Sequence, residues 1–184
     1  MGGDGDVEVF CADEQTFIAV DLARWQALAE HVLRAEGVRG LAELSVLYVS
    51  EAEIAELNLD HMGKDGPTDV LAFPIDAPDA EMVPHNQPDN RGPDRPVADP
   101  GDMPLLLGDV VICPQVAARQ APEHAGTFDD EMALLLVHGV LHVLGCDHHE
   151  PEAATAMRAR ELELLQTHHW AGPAPEGFRQ DHDE

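Results

Sequence analysis

His138 and His142 stand four residues apart in the run Val137-His138-Gly139-Val140-Leu141-His142. On a helix that spacing projects both imidazoles from one face, a single turn apart. Two such rings can share one metal ion through nitrogens at about 2.0–2.1 Å. Gly145 is placed to take the left-handed conformation that ends a helix. The chain then reverses, and His148 returns over the same ion. Three neutral histidines with a fourth position left to water form the arrangement of a catalytic zinc, whereas structural zinc is more often closed by four protein ligands. The spacing therefore predicts one Zn2+ per chain on His138, His142 and His148, against the plainer reading of unrelated core or surface histidines. Position 139 separates this run from zinc peptidases of the H-E-x-x-H type: it is glycine where those enzymes carry the glutamate general base. A glycine there lets a substrate approach the ion or lets the helix pack tightly.

Several elements must position these rings. Val7 to Cys11 alternates apolar and polar residues and predicts a first strand. Asp21, a candidate N-cap, opens a helical pattern to about Glu36 with Leu22, Trp25, Leu28, Ala29, Val32 and Leu33 on one face, and Gly37 stops it. Glu43 to Val49 predicts a second strand. Ser50 and Glu53 form a capping-box signature for a short helix to about Asp60. Thr68 to Phe73 predicts a third strand, ended by Pro74, and Leu107 to Cys113 a fourth. Pro114 starts a helix to about Gln120. Thr127 or Asp129 caps a strongly apolar helix through Leu144, and a last amphipathic helix covers roughly Glu152 to His168. Interleaved strands and helices predict an α/β or α+β layer architecture, with strand order left open. Seven of the 14 prolines fall between Asp76 and Pro104, which predicts a long loop or disordered insertion. The expected organisation is one domain over 1–170 with that insertion at 76–104, followed by a frayed acidic tail at 171–184.

The chain has 184 residues, with 10 Lys+Arg against 36 Asp+Glu and a formal charge of −26. Its 44% hydrophobic content is enough for a core. An uninterrupted apolar run of about 18 residues is absent, which excludes a membrane-spanning helix from the expectations. The acidic Met1 to Asp6 does not read as a secretory signal. Three cysteines (Cys11, Cys113 and Cys146) are too few for a disulfide framework and fit a reducing cytoplasm.

The run HGVLHVLGCDHH resembles the H-G-x-L-H-L-x-G-y-D-H signature of the YbeY family, bacterial zinc-dependent endoribonucleases of rRNA maturation. Leu57-Asn58 followed by Gly66-Pro67-Thr68-Asp69-Val70-Leu71-Ala72-Phe73-Pro74 is similar to the family's L-N…P-T-D-V-L-S-F-P. Leu107-Gly108-Asp109-Val110-Val111-Ile112 is similar to its L-G-D-I-v-I strand. The blocks occur in the family's order and cover about Ser50 to Glu150. The resemblance implies an α+β fold, a small mixed β-sheet flanked by helices, with the three-His metal site on a central helix and the turn that follows. It assigns the zinc ligands by position to His138, His142 and His148. It also implies a single-strand-specific endoribonuclease acting in 16S rRNA 3′-end processing and ribosome quality control. The implied partners are single-stranded rRNA and the ribosome or small-subunit assembly components, in the cytoplasm. The family often carries an Arg a few residues after L-N; Met62 matches that position, which leaves phosphate contact to Lys64 or another base.

Other residues carry two readings each. Asp147 either fixes the tautomer of a ligand imidazole or stabilises the turn through backbone amides. Asp69 either orients substrate or water or makes an ordinary strand-entry turn with Thr68. Cys146 reads as packing, and Met132 and Met157 as core. His85, His124, His149, His168 and His169 read as solvated surface residues. The charge opposes RNA at long range, while binding depends on the local groove and an ion supplies positive charge at the phosphate. Two alternatives stay open: a zinc hydrolase of another substrate class, such as peptides, and a non-catalytic ribosome-assembly factor in which metal holds the fold.

Overall fold

A computed structural model describes residues 7–38, 42–74, 105–144, 151–176 and 178. Four strands form one mixed sheet: β1 (Val7–Asp13), β2 (Ala42–Tyr48), β3 (Val70–Pro74) and β4 (Leu105–Ile112). The spatial order is β1-β2-β4-β3. β1, β2 and β4 run parallel, and β3 closes one edge antiparallel to β4. This is the α+β arrangement with a small mixed sheet that the sequence led us to expect. The predicted insertion at 76–104 and half of the 171–184 tail lie outside the described residues.

Alternation along the strands sends two apolar sets to opposite faces. Val7 and Val9 of β1, Ala42, Leu44, Val46 and Tyr48 of β2, and Val110 and Ile112 of β4 face the main core. Helix α1 (Leu22–Ala35) lays Trp25, Leu28, Ala29, Val32 and Leu33 onto that face. Its N-cap is Asp21, which accepts from the Arg24 amide, and Gly37 just past its end has φ +90°. The opposite face is covered by a smaller cluster in which Ile54 of α2 (Glu51–Leu57) meets Leu71, Val111 and Cys113. The capping box of Ser50 and Glu53 starts α2 as expected.

Three boundaries depart from the sequence reading. α2 ends at Leu57, and Asn58–Met62 winds as a wider π-turn closed by Gly63. Buried Asn58 begins this turn, and its side-chain amide donates to the Gly66 carbonyl at 2.9 Å, tying the helix end to the next loop. β3 begins at Val70 and not Thr68, because the Asp69 carboxylate accepts from the Val70 amide at 2.7 Å. β4 begins at Leu105 and bulges opposite Glu43 and Leu44, with Gly108 at φ +147° where a Cβ would collide with the Phe73 carbonyl.

Among the described residues three further α-helices follow: α3 (Pro114–Gln120), α4 (Phe128–Val143) and α5 (Pro151–His168). Thr127 caps α4 by accepting from the Asp130 amide at 3.1 Å. α4 is apolar around nearly its whole circumference and buries every residue from Asp130 to Leu141. Such a helix must be enclosed, and it packs between the sheet on one side and α1 and α5 on the other. Met132 and Met157 are core residues, as expected. Among the described residues, no helix is long and apolar enough to cross a membrane.

Candidate metal centre

The last two turns of α4 carry His138 and His142, whose ring centroids lie 4.6 Å apart at an interplanar angle of 73°. The four-residue spacing thus does bring both rings to one face. His138 is buried, and its Nδ1 lies 2.5 Å from Oε2 of Glu161 on α5. An ionised carboxylate only accepts, so a contact of this kind favours the tautomer with the proton on Nδ1 and the lone pair on Nε2. A neutral imidazole braced in this way suits a borderline cation such as zinc. His148 and Asp147, with Cys146 and His149, lie outside the described residues, as does Gly145. Among the described residues, no group of three or more His, Cys, Asp or Glu is placed to hold a metal ion.

Glu161 is the residue that sequence reasoning passed over. It is 1% exposed and shares its helix face with the buried Met157, Leu164 and Leu165. A carboxylate at helical spacing within an apolar stripe was the available signal, since a buried charge demands a partner.

Gly139 faces the sheet. A Cβ there would fall 2.6 Å from Val110 Cγ1 and 3.4 Å from Val70 Cγ2. Of its two readings, tight helix packing is the one realised. The position where a peptidase of the H-E-x-x-H type keeps its base has no room for a side chain.

Two turns before His138, on the same face of α4, Glu131 is fully buried. Its Oε2 accepts from Gln120 Nε2 at 2.6 Å and contacts His124 Nδ1 at 3.1 Å, while Oε1 accepts from the Ala125 amide at 3.1 Å. Gln120 uses its second N–H to reach Asp69 Oδ2 at 2.8 Å. Asp69 is thereby drawn into a polar network with α3 and α4, and its carbonyl accepts from the Cys113 amide at 3.0 Å. Lys64 and Met62 are exposed on the turn after α2, and Lys64 forms no ion pair among the described residues.

Two histidines read as solvated are not. His124 contacts Glu131, and His169 bonds through Nε2 to Asp130 at 2.9 Å. The cause is the same in both places: a buried carboxylate at the start of α4 needs donors. Trp170, the last residue of the expected domain, also donates to Asp130, at 2.9 Å, and packs edge-on against Phe178 in the expected tail. His168 is half-buried with its ring 5.2 Å from that of His31. His85 and His149 lie outside the described residues.

Comparison with known proteins bears on family and fold. The family model described as Endoribonuclease YbeY matches residues 10–169. An Endoribonuclease YbeY of Salinispora tropica is 49% identical over 146 residues, covering 79% of this chain and 87% of that protein. One from Thermobifida fusca is 45% identical, covering 80% of this chain and 86% of its own length. One from Frankia alni is 42% identical over 175 residues, covering 93% and 88%. The solution structure of TM1509 from Thermotoga maritima superposes with a TM-score of 0.51 at 23% identity, covering 89% of this chain and 91% of that one, a likeness of fold. With a family match over most of its length and relatives this similar, the chain belongs to the YbeY family.

Proposed function

We propose that this chain is a zinc-dependent, single-strand-specific endoribonuclease that acts in rRNA maturation, at the 16S rRNA 3′ end and in ribosome quality control. The observation that carries the reading is the paired imidazoles of His138 and His142 with a buried carboxylate behind the first, in a chain of this family. His148 completes the donor set, one ion per chain, and the work is done in the cytoplasm on rRNA presented by the ribosome or small-subunit assembly components.

His138 and His142 present their rings from the C-terminal turns of the buried α4, and the Glu161 carboxylate faces Nδ1 of His138. When bound, zinc supplies a Lewis acid for a phosphate oxygen and lowers the pKa of its water toward neutrality. Lys64 contacts the RNA backbone in place of the arginine that Met62 replaces, while Asp69 and Asp147 orient substrate or the ligand turn. Among the described cations, Arg24, Arg119 and Arg160 are already paired with Asp129, Glu51 and Glu36. With a formal charge of −26, affinity for naked RNA is therefore weak and steeply salt-dependent, and delivery falls to the ribosome.

The peptidase alternative loses support from Gly139, whose Cα side is filled by Val110. The deciding experiment measures zinc content and cleavage of single-stranded RNA for the wild type and His138→Ala, with circular dichroism as the fold check. A folded variant that loses zinc and cleavage supports catalysis. A variant that melts on losing zinc turns the reading toward a structural ion, and a metal-free but active wild type overturns it. A 2′,3′-cyclic phosphate product identifies the RNA hydroxyl as attacking group, and a 5′-phosphate identifies water.

A further inference from the structure

We infer that Glu161 is a positioning residue for the candidate metal centre, fixing His138 in the tautomer whose Nε2 can ligate. The inference rests on the zinc reading above and assigns a task to a residue outside the ligand set. Its basis is the 2.5 Å contact between Glu161 Oε2 and His138 Nδ1, with both side chains almost wholly removed from water.

The plainer explanation is that this pair fastens α5 to α4. Three features argue against it. α5 is already docked through Met157, Leu164 and Leu165, all buried in the main core. It is tied near its middle by Arg160, which donates to Glu36 Oε2 and to the Ala35 carbonyl. Just beyond its C-terminal end, His169 and Trp170 bond to Asp130. A buried carboxylate in an apolar seam is also a poor fastener, because well-packed apolar side chains of similar volume hold such seams at least as well. What a carboxylate does that an aliphatic residue cannot is choose between the two ring nitrogens. An isolated histidine is not confined to one tautomer, and confinement to the Nδ1–H form aims its lone pair along Nε2 and raises its basicity.

Two measurements on the full chain test this. In the metal-free wild type, ring nitrogen shifts by NMR are expected to report the Nδ1–H tautomer for His138. Finding the Nε2–H form overturns the inference. Zinc affinity is then measured by competition with a chromophoric chelator for wild type and Glu161→Gln, which keeps the shape and removes the charge. The expected result is a 10- to 100-fold weaker affinity with the melting temperature of the metal-free protein unchanged. Equal affinities overturn the inference, as does a variant whose metal-free melting temperature falls while its affinity holds. If the wild type itself takes up no zinc, the metal reading fails with it, an outcome distinct from two proteins that bind zinc equally well. Should Glu161→Gln not fold, the tautomer of the wild type still decides.

Discussion

Gly139 lies so close beneath Val110 that a Cβ added to it would sit 2.6 Å from Val110 Cγ1. Valine is stiff at χ1, and Val110 is wholly buried, so the neighbour has little room to give. Helix propensity alone would make Gly139→Ala stabilising by roughly 1 kcal/mol. We expect the reverse, a loss of about 1–3 kcal/mol from overpacking, read from the urea midpoint. Gly139→Glu, which recreates a peptidase-like sequence, is expected to destabilise further and to gain no peptidase activity.

Asp130 gathers two ring N–H donors from beyond the end of α5, His169 Nε2 and Trp170 Nε1, each at 2.9 Å. Asp130→Ala strips the acceptor from both and is expected to cost about 1–3 kcal/mol. Trp170 is one of only two tryptophans, so its emission should shift to longer wavelength as it comes loose. Asp130→Asn keeps an acceptor oxygen and should lose less. Equal stability of wild type and Asp130→Ala in urea denaturation would contradict this anchoring.

The His168 pKa is lowered from its usual 6.5, first by burial and then by repulsion from His31 and Arg160. A folded-state value below the unfolded one means that the unfolded chain binds the proton more tightly. The contribution of His168 is therefore fully present above about 6.5 and is lost as pH falls through 6.5 toward the folded value. His168→Gln is expected to flatten this part of the stability curve, with the difference from wild type confined to the acid side of pH 7. A difference that grows toward pH 9 would refute the assignment.

Burial, reinforced by Glu30, pushes the Cys11 thiol up to about 11, and burial also raises Cys113. Neither is a thiolate at pH 8, so both should resist alkylation while the protein is folded. Peptide mapping after iodoacetamide treatment checks this: the two peptides should be modified in urea and not in buffer. Rapid native labelling at Cys11 would contradict it.

Much of this architecture can be read from the residues themselves. Asp21, Ser50 with Glu53, and Thr127 each begin a helix through a local hydrogen bond, so the cue and the structure share a few residues. The His138 and His142 pairing is legible for the same reason, since helix geometry alone sets it. Glu161 and His138 are 23 positions apart, and no local pattern joins them. Only the packing of α5 on α4 does so. The polar network of Asp69, Gln120 and Glu131 is likewise non-local. His124 and His169 were misread because exposure was inferred from residue type, whereas the buried carboxylates Glu131 and Asp130 decide where those rings go. The change from α to π winding at Asn58 is not legible, and the bond from its side chain forward to Gly66 is a loop contact with no periodic signature.

The enclosure of α4 separates two ways in which this protein can be impaired. Because the turn that carries His138 is packed into the main core, damage at a distant apolar position such as Leu33 should reduce how many molecules work while leaving the turnover of each survivor intact. Damage at Glu161 or His142 should do the opposite, leaving a full population of slower molecules.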